Sequence, residues 1–330
     1  MGGAAVKLDP AQIPREDGDN GGALLLVSNA GGLTQFGAYI DTLAPGAYSS
    51  TRHWHSAEDE LVYVLSGSVS VIDDDGAHIL QPGDAACWRH GDPNAHHLFN
   101  HSPAPCSYLI IGSRAACDIC TYPDTGEQQI NGTTDWKITR EDGSIRRQGQ
   151  LPAALLNLSP AWGTPFDPAQ SYPRILPDAV RPWVDAADIA HKILGPGLGA
   201  YRYQLISDLG GLSQFGAFIE ELPPGAFSGH RHWHEAEDEM VYMLSGEAVL
   251  IEDSETSLRA GDTACWPAGV AIGHRLANRG TIPARYLVIG TRQQRDTVHY
   301  TDHDLITHKD GSDRRYLRRD GTAYPDRRTT

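Results

Sequence analysis

The stretch Gly46-Ala-Tyr-Ser-Ser-Thr-Arg-His53-Trp-His55-Ser-Ala-Glu-Asp-Glu60, with Gly67 following after six residues, decides the reading of this chain. It returns as Gly225-Ala-Phe-Ser-Gly-His-Arg-His232-Trp-His234-Glu-Ala-Glu-Asp-Glu239, again six residues before a glycine, Gly246. Each copy is followed by a Gly-Asp turn and by a histidine with asparagine four positions on: His96 with Asn100, and His274 with Asn278. Three imidazoles and one carboxylate are thus offered twice. That donor set suits borderline divalent ions such as Fe, Mn, Co, Ni, Cu or Zn, and does not choose among them. On a six-coordinate ion, four protein ligands leave two positions for water, dioxygen or a chelating substrate.

Strand geometry explains the spacing. Side chains at i and i+2 share a face, so His53 and His55 project together while Arg52 and Trp54 turn away. Glu60 lies at odd parity from His55, so a turn over residues 56–59 has to return it on a neighbouring strand. The fourth ligand then arrives from a later strand. A lone histidine is usually a packed or surface group, but a complete set present twice argues for a metal site in each half.

The duplication reaches beyond the histidines. Gly31-Gly-Leu-Thr-Gln-Phe-Gly-Ala-Tyr-Ile40 matches Gly210-Gly-Leu-Ser-Gln-Phe-Gly-Ala-Phe-Ile219, and Tyr108-Leu-Ile-Ile-Gly-Ser-Arg114 matches Tyr286-Leu-Val-Ile-Gly-Thr-Arg292. Short β-branched and aromatic runs punctuated by Gly, Pro and Asp predict an all-β chain built as a sandwich or barrel. Residues 1–150 form one barrel with its lead-in and trailing segment. Residues 151–200, rich in Pro and Ala, form a connection with a helical candidate near Asp185–Leu194. Residues 201–330 form a second barrel with a basic tail.

Lys and Arg number 27 against 42 Asp and Glu, a net charge of −15. Such a chain repels phosphate backbones and anionic lipid, so neither nucleic acid nor a membrane is an expected partner. The tail carrying Arg314, Arg315, Arg318, Arg319, Arg327 and Arg328 reads as a frayed, solvated end. With no apolar run of about 18 residues and no signal-peptide core, the chain reads as soluble and cytoplasmic. Five cysteines do not make a disulfide scaffold.

The paired motifs resemble those of the cupin superfamily, in which His-x-His-x3/4-Glu-x6-Gly is followed by Pro-Gly and His-x3-Asn. The resemblance covers about residues 30–115 and 209–293, as in a bicupin. It implies two antiparallel jelly-roll barrels, each with a metal inside. The ligands it implies are His53, His55, Glu60 and His96 in the first barrel, and His232, His234, Glu239 and His274 in the second. His97 competes with His96, but alignment with His274 and the following asparagine select His96; His97 then points outward with Arg275 as its counterpart. Glu58 and Glu237 compete with Glu60 and Glu239, and the interval to glycine selects the latter.

Lesser signals surround these ligands. His230 shares parity with His232 and His234, which places it in the second barrel as a candidate catalytic proton-transfer group, or as a mere hydrogen-bonded residue at the mouth. Gln35 and Gln214 occupy equivalent strand positions and are candidates to hold substrate or a ligand, or simply to join the sheet. Cys87 and Cys265 read as buried small residues. Cys117-Asp-Ile-Cys120 lacks a second pair, so structural zinc and thiol exchange are secondary readings. Asp118 to Asp124 and Asp296 to Asp302 recur after each barrel and read as a docking segment without chemistry.

The site reads as a metal-dependent enzyme acting on a small molecule, with a non-haem dioxygenase favoured. A redox-neutral isomerase, lyase or decarboxylase and a non-catalytic binder are the alternatives. A homodimer through sheet edges is also expected.

Overall fold

The computed structural model describes residues 6–17, 23–151, 156, 162–186 and 191–325. Its organisation follows from strand Glu60–Ser66, where Leu61, Val62, Tyr63 and Val64 are all buried. A continuous apolar run of this kind suits a strand covered on both faces. Val62 and Val64 join Val69, Val71, Leu80, Leu98 and Tyr108 in the core of the first half. Leu61 and Tyr63 face the other way, into a core shared with Phe215, Ile219, Met240 and Leu287 of the second half.

Each half is a jelly roll with three antiparallel sheets among its described residues. The third carries the His-x-His strand, with Asp118–Tyr122, Glu127–Asn131, Asp135–Thr139 and Ile145–Gln150 in the first half and Arg295–Tyr300, Leu305–Asp310 and Asp313–Leu317 in the second. In the first, the large sheet runs Ile175–Leu176, Ala85–Trp88, Glu60–Ser66, Cys106–Ser113, Phe36–Leu43, Ala23–Leu25 and Arg15–Asp17. Facing it is a sheet of His97–Phe99, Val69–Asp73 and Gly76–Leu80. The second half repeats this with Val6–Leu8, Thr263–Trp266, Glu239–Ser245, Ala284–Thr291, Phe215–Leu222, Tyr201–Leu205 and Val184–Ala186 against Glu255–Arg259, Glu247–Ile251 and Arg275–Ala277. Gly67 and Gly246, at φ 73° and 74°, make the turn that ends each motif. A Cβ on Gly67 would also meet the Pro105 carbonyl oxygen at 2.7 Å, so glycine is required there twice over.

The halves exchange edge strands. Val6–Leu8 leaves the first half to pair with Thr263–Cys265 of the second, and Ile175–Leu176 of the connection returns to pair with Ala85 and Ala86 of the first. The lead-in of the first barrel therefore contributes to the other one. Repeated cysteines and glycines lie on this interface in reciprocal pairs. A Cβ added to Gly210 would stand 2.5 Å from the Cys87 Cβ, and one added to Gly31 would stand 2.5 Å from the Cys265 Cβ.

Two local expectations are corrected. The helical candidate near Asp185–Leu194 is a strand at its start, because Val184–Ala186 pairs with Tyr201–Tyr203. At its end, His191 bridges Gly195 across a turn; residues 187–190 lie outside the described residues. Sheet pairing overrides local propensity here. The basic tail is also not frayed over its described part. Asp313–Leu317 pairs with Ile306–Asp310, and an Arg319 Nη2 donates to the carbonyls of Tyr300, Thr301 and His303. Arg327 and Arg328 lie outside the described residues. No described helix is long and apolar enough to cross a membrane.

Candidate metal centre

In the second half the short strand His232–His234 carries the His-x-His pair; in the first, His53 immediately precedes the strand Trp54–His55. Bends over residues 56–59 turn the chain, and Glu60 begins the next strand. His96 closes the set by bridging His53 in antiparallel register, as His274 bridges His232. The indole of Trp88 stacks on His96 at 3.7 Å, and that of Trp266 on His274 at 3.8 Å, which fixes the ring planes.

The structure brings all eight predicted ligands together as two sets of four. Glu60 Oε2 lies 3.9, 3.8 and 3.3 Å from the Nε2 atoms of His53, His55 and His96. Glu239 Oε2 lies 3.9 Å from His234 Nε2 and 3.2 Å from His274 Nε2, and His232 joins the same cluster. The Nδ1 atoms have partners of their own. His53 and His232 donate to the carbonyls of Thr51 and His230, at 2.9 and 2.8 Å. His55 and His234 donate to Asp118 and Asp296, at 2.7 and 2.6 Å. The Nδ1 atoms of His96 and His274 face the carbonyls of Asn94 and Ile272, at 3.4 and 3.3 Å. Each imidazole is thereby turned so that the Nε2 lone pair points inward, as metal-bound histidines require.

Electrostatics agree with this assignment. Burial holds the His53 and His232 imidazoles down at about 4, so both are neutral donors. Burial pushes the Glu60 and Glu239 carboxyls up, but the surrounding histidines prevail and hold both at about 2. His55 departs from this pattern: burial works against its charge, yet Asp118, Glu60 and Glu58 together raise it to about 9, and Asp296 and Glu239 likewise raise His234, so an ion at either Nε2 would have to displace a proton. Donors gathered around an ionised, buried carboxylate could hold a cation, and nitrogen with oxygen donors fits a borderline divalent ion.

Each set borders a cavity: about 290 Å³ in the first half and about 300 Å³ in the second. The second is walled by Phe218, Val241, Leu276 and Val288. A further carboxyl faces each cavity. Glu220 is buried and accepts the Tyr286 hydroxyl at 2.7 Å, and burial raises its carboxyl to about 7. Asp41, its counterpart, accepts the Tyr108 hydroxyl and is likewise raised by burial. These four residues were not anticipated, although both tyrosines stand at matched repeat positions.

Other expectations change. Asp118 and Asp296 are no docking segment: each anchors a ligand histidine and also accepts a backbone N–H of the ligand loop, from Ala57 or Ala236, at 2.8 Å. Their recurrence in both halves was the available signal. His230 does not line the second cavity; its Nδ1 lies 3.2 Å from His303 Nε2, beside His191. The parity argument fails because residues 228–231 are bends, and the strand begins at His232. Position 230 serves the site through its carbonyl, as Thr51 does. His97 does not turn away from the first site. It borders the cavity next to Tyr48, and Arg275 borders the second cavity with its guanidinium over Phe227.

The side chains of Gln35 and Gln214 hold the ligand loop of the opposite half. Gln214 accepts the Asp59 N–H at 2.9 Å and donates to the Ala57 carbonyl at 2.9 Å. Gln35 accepts from Asp238 at 3.3 Å and donates to the Ala236 carbonyl at 2.7 Å. In return the fully buried Asp59 accepts the N–H groups of Ser213 and Gln214, and Asp238 those of Thr34 and Gln35.

Comparison with known proteins follows this geometry. The cupin domain family model matches residues 39–112 and 218–290. A sugar phosphate isomerase of the cupin superfamily from Silicibacter pomeroyi is 37% identical over 42% of this chain and 95% of its own, with a TM-score of 0.41. Oxalate decarboxylase from Lactobacillus farciminis is 18% identical over 88% of each chain, with a TM-score of 0.53. AerE from Microcystis aeruginosa is 13% identical over 85% of this chain and 97% of its own, at 0.51. No curated protein matches the chain in sequence.

Proposed function

The chain belongs to the cupin superfamily, and on that premise we propose that it is a metal-dependent enzyme that moves protons on a small, oxygen-rich substrate: a redox-neutral isomerase, lyase or decarboxylase. The observation that carries this reading is the carboxyl–tyrosine pair in each ligand-lined cavity, Asp41 with Tyr108 and Glu220 with Tyr286. A dioxygenase would use the same four ligands; the buried Glu220 carboxyl, held at about 7, suits reversible proton transfer and supports the redox-neutral reading.

Four protein ligands per half would hold one divalent transition ion each, and when bound it supplies a Lewis acid for a substrate carbonyl or hydroxyl. The chain's own residues do the rest. Tyr286 engages Glu220 Oε1, which leaves Oε2 to take a proton from substrate carbon or oxygen and to return it. Phe218, Val241, Leu276 and Val288 give that exchange an apolar wall. Cavities of about 300 Å³ suit a substrate of a few carbon atoms.

The test is anaerobic. Protein loaded with manganese, zinc or nickel is expected to exchange substrate C–H for solvent deuterium across a panel of small hydroxy-carbonyl and carboxylate compounds. Combining Glu220→Gln with Asp41→Asn should slow that exchange by about 10²–10⁴-fold with metal content unchanged. Dioxygen consumed in step with substrate by the Fe(II)-loaded protein, with no anaerobic exchange, would overturn the proposal in favour of an oxygenase.

A further inference from the structure

The two centres match ligand for ligand, and one neighbouring position sets them apart. Strand Asp118–Tyr122 pairs with the strand carrying His55, and its inward face presents Asp118, Cys120 and Tyr122, while Ile119 between them is exposed. In the second half the same face presents Asp296, Val298 and Tyr300. The flanking residues do equal work in both: Asp118 and Asp296 anchor a ligand, and the Tyr122 and Tyr300 rings lie 6.0 and 6.1 Å from His53 and His232. The middle residue does not. Cys120 stands directly opposite His55 in the antiparallel register, and Val298 stands opposite His234.

Cys120 is 4% exposed, and its sulfur lies with a ring nitrogen of His53 and of His55 in a group whose atoms are all within 4.8 Å of one another. That is a third donor beside two of the four proposed ligands, while Glu60 and His96 form a neighbouring group that shares His53. The isopropyl group of Val298 offers no lone pair to the second centre. Among the described cysteines, Cys117 is exposed, and Cys87, Cys106 and Cys265 belong to the hydrophobic cores.

We propose that Cys120 is a fifth protein ligand of the first centre, which makes that centre a thiolate site while the second keeps only nitrogen and oxygen donors. This rests on the reading that each half holds a divalent ion. Binding breaks the S–H bond: the sulfur gives its lone pair to the ion, the proton leaves to solvent, and nothing is oxidised or reduced. An ion held there would favour the thiolate over the thiol through its charge. The Tyr122 hydroxyl, a hydrogen-bonding neighbour of the sulfur, can donate to the thiolate. Two consequences follow. Sulfur shifts the preference of the first centre toward softer ions than that of the second. A six-coordinate ion there keeps one open position in place of two, so a chelating substrate fits the second centre better.

Cobalt(II) tests this on the full chain. Metal analysis should return two equivalents, and the near-ultraviolet spectrum should show a thiolate-to-cobalt charge-transfer band for one of them. Cys120→Val, which installs the residue the second half already carries, should keep both equivalents and lose the band; Cys120→Ser serves should the valine variant not fold. Val298→Cys should roughly double the band, and Cys117→Ser should leave it unchanged. Two equivalents bound with no band, or a band that survives Cys120→Val, overturns the thiolate ligand and leaves the metal sites standing. Failure to bind cobalt at all overturns both.

Discussion

Gln214, in the second half, accepts the backbone N–H of Asp59, in the first, at 2.9 Å. Asp59 immediately precedes the ligand Glu60, so a side chain of one half helps to hold the metal-binding loop of the other. Gln214→Ala should cost about 1–3 kcal/mol of global stability, because it strips the part-buried Ala57 carbonyl and the buried Asp59 N–H of a partner. It should also weaken metal binding at His53, His55, Glu60 and His96 more than at the set in its own half. Zinc titrations of the variant in a His234→Ala and in a His55→Ala background separate the two sites. Equal losses at both would show that the clasp is only mechanical.

Asp118 and Asp296 orient ligand imidazoles at 2.7 and 2.6 Å. Asp118→Asn keeps the shape but removes the charge, and it should lower the affinity of the first centre by about 10–100-fold. Asp296→Asn should do the same to the second centre alone. Competition against a chromophoric chelator reads both effects.

Gly210 leaves no room for a side chain against Cys87. Gly210→Ala is expected to destabilise the protein by about 1–3 kcal/mol through overpacking. Cys87→Gly in the same chain should restore part of that loss. Urea unfolding measures both.

The Glu220 carboxyl titrates at about 7 against an ordinary 4.5, because burial disfavours its charge. The folded state therefore holds this proton more tightly than the unfolded chain. Its contribution to stability is complete below about 4.5 and is lost as pH rises through about 7. The metal-free protein should lose more stability between pH 5 and pH 8 than its Glu220→Gln variant does. In turnover, a base must be ionised, so kcat/KM should rise with pH on a limb at or below 7, since a bound cation lowers the carboxyl further. That limb should vanish in Glu220→Gln.

Local spacing made much of this molecule legible. His53, His55 and Glu60 lie within eight residues, so strand parity and one turn suffice to bring them together, and Gly67 reports its own φ of 73°. What escaped is long-range. Asp118 reaches His55 across 63 positions, and Tyr108 reaches Asp41 across 67. Only their recurrence in both copies hinted at a shared role. Gln35 and Gln214 show the opposite hazard: a position repeated in both halves can serve the contact between them rather than the chemistry within each. His230 was misplaced because parity was carried past the start of its strand. The segment from 185 to 194 was read as helix because its composition could not show the strand waiting at Tyr201–Tyr203.

The crossing of Val6–Leu8 into the distant sheet ties the fate of each half to the other. Neither half alone has a finished border, since the outermost strand of each large sheet, Ile175–Leu176 or Val6–Leu8, reaches it from beyond that half's own motif, and an unfinished border invites a neighbour. Cutting the chain between the two repeats would therefore yield pieces with a bared sheet edge, prone to pair with one another or with themselves.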